Sequence, residues 1–110
     1  MSYQHKDLAA GRWKELSFFQ KMANIGSEVE RAIKWRKKHN AAYSEQASER
    51  ALELTDLTLD SIKGFPHLKE LARLREAIVD YFFGTNQFMS TEASWKSYFL
   101  SFTYAARKNS

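Results

Sequence analysis

The chain has 110 residues, with 17 Lys and Arg against 13 Asp and Glu, 44% apolar and 15% aromatic residues, and no cysteine. That much apolar material excludes intrinsic disorder and suffices for one domain with a single modest core. The absence of cysteine excludes disulfides, thiol nucleophiles and Cys-ligated metal, and one Pro with four Gly argues against a turn-rich sandwich or barrel.

Residues 1–15 are polar and mixed, and read as a flexible N-terminal arm that Gly11 and the Arg12-Trp13-Lys14 triplet would dock. The opening MSYQHKDLAAGRWKELSFF holds no apolar signal-peptide core, and no later stretch approaches the ~20 apolar residues of a membrane span. A cytoplasmic protein without a membrane partner is expected. The first periodic segment, 16–38, turned at ~100° per residue, places Phe18, Met22, Ile25, Gly26, Val29 and Ile33 on one face. Glycine costs ~1 kcal/mol inside a helix, so Gly26 on that face predicts the close approach of a neighbouring helix. Asn40 is expected to end the segment through the left-handed conformation.

The second segment, 43–63, aligns Tyr43, Ala47, Ala51, Leu54, Leu57, Thr58 and Ile62, and stops at Gly64. Pro66 opens the third, 66–83, with Leu68, Leu71, Ala72, Ile78, Val79 and Phe82 on one side, and Gly84 closes it. A polar loop over 85–90 leads to Thr91, a capping residue for the fourth segment, 92–107. That segment aligns Trp95, Tyr98, Phe99, Phe102, Ala105 and Ala106, and residues 108–110 form a fraying tail. Four helices with short connections predict an all-α fold: an up-down-up-down antiparallel four-helix bundle over 16–107.

Residues that break these patterns are the candidates for function. Arg75 falls in the middle of the third stripe. An unpaired buried guanidinium is costly, so a structural ion pair with Glu28, or failing that Glu53, is expected; anion binding is the other reading. Leu52 and Leu59 lie opposite the second stripe, and Leu100 and Tyr104 lie opposite the fourth, beside Ser97 and Ser101. Spacings of seven and four residues read as a second contact surface, an oligomer interface, or else as edges of one broad core. The second segment carries an acidic stripe of Glu45, Glu49, Glu53, Asp56 and Asp60, whereas the first is net basic. Complementary flanks of this kind suit neighbouring helices, or a head-to-tail ring. Lys34, Trp35, Arg36, Lys37 and Lys38 form the sharpest local run. It reads either as cations on the helix macrodipole, worth ~0.3–1 kcal/mol each, or as a nucleic-acid-binding patch with Trp35 stacking on a base.

Catalytic signatures are missing. The three His follow no Glu at the spacing a diiron bundle needs, and there is no Walker A loop, GxGxxG, GxSxG or HExxH. No enzyme activity, no metal and no cofactor are expected.

The strings LSFFQKMANIGSEVERAIKWRKKHN, ERALELTDLTLD, HLKELARLREAIVDYFFGTN and SWKSYFLSFTYAAR together resemble a group of short prokaryotic four-helix proteins, over 11–107. More distantly, the chain is similar to the four-helix proteins that include the accessory variability determinant of diversity-generating retroelements and the ribosomal intervening-sequence proteins. That similarity lies in size, helical topology and basic character, so no residue is carried over. It implies a ring-shaped homo-oligomer, pentameric in known members, and for the retroelement members binding of nucleic acid and a reverse transcriptase. The expected function is a non-enzymatic homo-oligomeric scaffold or accessory subunit, contacting RNA or such an enzyme. The alternative is a small adaptor that docks a protein partner through its acidic second helix or aromatic fourth helix.

Overall fold

The computed structural model describes residues 11–62 and 64–108, and all regular structure among them is helical. The helices are α1 (Trp13–Glu15), α2 (Phe18–Lys37), α3 (Ala41–Ser61), α4 (Phe65–Phe83) and α5 (Glu92–Lys108). α2 packs against α3 and α5, α3 packs against α4, and α1 lies on α3. No helix among the described residues is long and apolar enough to cross a membrane. Lys63, expected as the last residue of the second helix, lies outside the described residues, as do 1–10 of the expected arm and 109–110 of the expected tail.

The N-terminal boundary differs from the expectation. Trp13 is only 2% exposed and belongs to the core cluster. Its indole Nε1–H donates to Thr58 Oγ1 at 2.9 Å, and the Thr58 hydroxyl donates to the Leu54 carbonyl at 2.7 Å. A tryptophan whose large apolar area is buried and whose N–H is satisfied outweighs the polar residues around it. Trp13–Glu15 therefore belong to the folded unit and not to an arm.

Helix ends follow capping chemistry. Ser17 Oγ accepts from Gln20 N at 3.1 Å while Gln20 Oε1 accepts from Ser17 N at 2.9 Å, a reciprocal capping box that starts α2. At its other end the left-handed residue is His39 (φ 61°), not Asn40. His39 N donates to Arg36 O at 3.0 Å and Asn40 N to Trp35 O at 2.9 Å, the bond pair of a Schellman terminus. Asn40 instead begins α3, its Oδ1 accepting from Tyr43 N at 3.0 Å. With so few residues between the helices, one must terminate and the next must cap, and the short carboxamide suits the second task.

α2 and α3 are tied along their length. Ser44 Oγ donates to the Ala32 carbonyl at 2.8 Å, and Arg50 Nε to Glu28 Oε2 at 3.1 Å. Lys21 Nζ donates to Ser61 Oγ at 3.1 Å, in the last turn of α3, where exposed carbonyls favour a cation. Burial lowers the Lys21 ammonium pKa below its ordinary value. Gly26 marks the contact of α2 with α5. A Cβ at this position would lie 2.6 Å from Phe99 Cγ, so only glycine permits the approach.

The third predicted stripe holds at Leu71 and Ile78, with Phe82 packed against the core, and is shifted at its edge. The buried residues of α4 are Leu71, Leu74 and Ile78, while Leu68 and Ala72 are exposed. Arg75 consequently sits at the edge of the helix, exposed, and its Nε reaches Asp56 Oδ1 on α3 at 2.8 Å. The expected Arg75–Glu28 pair is thus absent. Glu28 pairs instead with Arg31 at 3.0 Å and Arg50 at 3.1 Å. Arg75 needs no buried partner because α4 turns it toward water beside the acidic flank of α3.

Candidate functional site

The basic run occupies the last turn of α2, and its members go separate ways. Arg36 Nη1 donates to the Tyr81 carbonyl at 3.1 Å, and its guanidinium lies 5.1 Å and 5.8 Å from the rings of Tyr81 and Phe82. Arg36 thereby fastens α2 to the last turn of α4. Trp35 is half-buried, its ring edge-on to Tyr43 at 4.9 Å, with Lys38 Nζ 5.4 Å from its centroid.

Lys34, Lys37 and Lys38 face the other way, toward α5. With Lys96, Ile33 and Trp95 they line a cavity of about 410 Å³. Two carboxylates share it: Glu30, and Glu92, whose Oε2 lies 3.2 Å from Lys37 Nζ. Cations remain in excess there. Lys96 was missing from the sequence reading because it belongs to a different helix, and only the packing of α5 on α2 brings it beside Lys37. A phosphate oxygen approaching this cavity meets ammonium groups on two helices at once.

The four apolar outliers also separate. Leu52 and Leu59 are half-buried and pack on the core, because α1, α2 and α4 all lean on α3 and cover its flanks. Leu100 and Tyr104 remain in solvent, 68% and 67% exposed. They stand one helical turn apart on the outer face of α5. Among the described residues no three acidic, histidine or cysteine side chains gather where a metal would need them. No family of known proteins, no curated protein and no solved structure matches the chain.

Proposed function

We propose that this chain is a non-catalytic scaffold or accessory subunit whose copies associate through the outer face of α5, and whose basic end contacts RNA or an enzyme that handles it. The subunit is an up-down-up-down antiparallel bundle of α2 to α5. Support for that order comes from paired contacts at opposite ends. Lys37–Glu92 joins the end of α2 to the start of α5, and Phe18 meets Phe102 at 6.1 Å near their other ends. Ser44–Ala32 and Lys21–Ser61 relate α2 and α3 in the same sense.

The observation that carries the association is the exposure of Leu100 and Tyr104 together on one turn of α5. Ser97 and Ser101 lie beside them, with Lys96 and Lys108 one turn before and one turn after. The distant similarity to ring-forming four-helix proteins agrees with this arrangement. Light scattering tests it: the wild-type chain is a multimer, and Leu100→Glu or Tyr104→Glu yields a folded monomer. Wild-type mass in both variants removes the assignment. A chain that is monomeric at all concentrations would favour the adaptor reading, in which a different protein covers the same face.

The RNA contact rests on Lys34, Lys37, Lys38 and Lys96. Changing these four to Gln should abolish RNA binding, and wild-type affinity should fall steeply with salt, because binding releases condensed counterions. Arg36 is left unchanged in that test since it holds α4. Salt-insensitive binding, or none, overturns the RNA contact and leaves the scaffold standing.

A further inference from the structure

Three neighbouring helix pairs of the bundle pack closely, and the fourth, α4 with α5, does not. Between them lies a groove of about 670 Å³, inside the range of roughly 300–1,000 Å³ that small-molecule sites occupy. Its apolar wall is made by Leu74 and Ala77 of α4 and by Trp95 of α5. Trp95 is buried, and its indole N–H has no hydrogen-bond partner among the described residues.

The charges of the groove are unequal in what they can do. Burial raises the Tyr98 pKa above its ordinary value, and the negative charge of Glu70, which lines the same groove, adds to the rise. Lys69 and Arg73 line the same groove and make no ion pair among the described residues. Two free cations beside an apolar wall complement an acid that carries an apolar body.

We propose that the α4–α5 groove binds a small organic acid with a flat apolar body, the acid group on Arg73 and Lys69 and the body against Leu74, Ala77 and Trp95. The size of the groove fits a compound of one or two rings. The planar fork of Arg73 suits a carboxylate or a phosphate monoester. Trp95 borders the lysine cavity as well, but Arg73 and Lys69 line this groove alone, and the site does not depend on self-association or RNA binding.

The test uses the full chain labelled with ¹⁵N, titrated with 2-naphthoate and with the uncharged 2-naphthalenemethanol. Three indole N–H resonances arise from Trp13, Trp35 and Trp95, and Trp95→Phe assigns the last. Naphthoate should shift the Trp95 resonance saturably, and the alcohol should bind about tenfold more weakly or worse. Arg73→Gln should weaken naphthoate by a similar factor, and Ala77→Leu should abolish the shift by filling the groove. An unmoved Trp13 resonance reports that each variant remains folded. Should Ala77→Leu unfold, the exposed Arg73→Gln decides alone. A Trp95 resonance that does not saturate, or that responds equally to the alcohol or to the Arg73 variant, overturns the proposal.

Discussion

Gly26 is where helix propensity and packing oppose each other. Gly26→Ala gains ~1 kcal/mol of propensity, but its Cβ meets the Cβ and Cγ of Phe99 at under 3 Å, atoms too near the backbone to swing aside. Overpacking of this kind costs about 1–3 kcal/mol, so the melting temperature should fall. A more stable alanine variant would mean that α2 and α5 do not approach as described. Trp13 sets the opposite case, a large residue that the core needs. Trp13→Ala should destabilise by ~3–5 kcal/mol in urea titration, whereas removal of a loose arm would cost nothing. Glu28 and Asp56 separate buried from exposed pairing. Glu28 is shielded between two arginines, and Glu28→Ala should cost ~2 kcal/mol or more. Asp56 and Arg75 are both substantially exposed, and Asp56→Ala should cost under ~1 kcal/mol. Tyr98 supplies a pH test. Its raised folded pKa means that its contribution is complete below its ordinary value of 10.0 and is lost as pH climbs through the folded value. The stability difference between wild type and Tyr98→Phe should therefore narrow above pH 10.0. A difference that widens there contradicts the raised Tyr98 pKa.

At the scale of the helices, how much the sequence reveals depends on how narrow each stripe is. α2 was readable because Met22, Ile25, Gly26, Val29 and Ile33 form one continuous face, and all five are buried. α4 was readable at Leu71 and Ile78 but not at the edge of its face, because apolar residues from Leu68 to Phe82 spread over a wide arc. The neighbours set that edge, placing Leu74 inside and turning Arg75 out to Asp56. α3 is buried on more than one side, which drew in Leu52 and Leu59 and left Glu53 of the acidic stripe buried. The loop before α5 was legible as polar, but not as ordered. Asp80, in the last turn of α4, accepts from Gln87 N at 2.7 Å and Phe88 N at 3.0 Å. Asn86 bridges Ser90 by two further bonds. Of the candidate site, the lysines at the end of α2 were visible in the sequence. Lys96 and the groove beside Trp95 were not, since both exist only through the packing of α5 against its neighbours.

For the whole molecule, the outer face of α5 matters more than any cavity. Two large apolar residues held in solvent on a helix are costly to keep wet, and in the proposed assembly burial against another copy would offset that cost. In the same proposal the basic end would act separately, drawing polyanions through excess lysine charge on α2 and α5. Association and RNA contact should thus respond to different substitutions and to salt in different ways. Sedimentation velocity across a dilution series is the most direct measurement. The account predicts a multimer for the wild-type chain and a folded monomer for Leu100→Glu. A wild-type chain that sediments as a monomer at every concentration would contradict it.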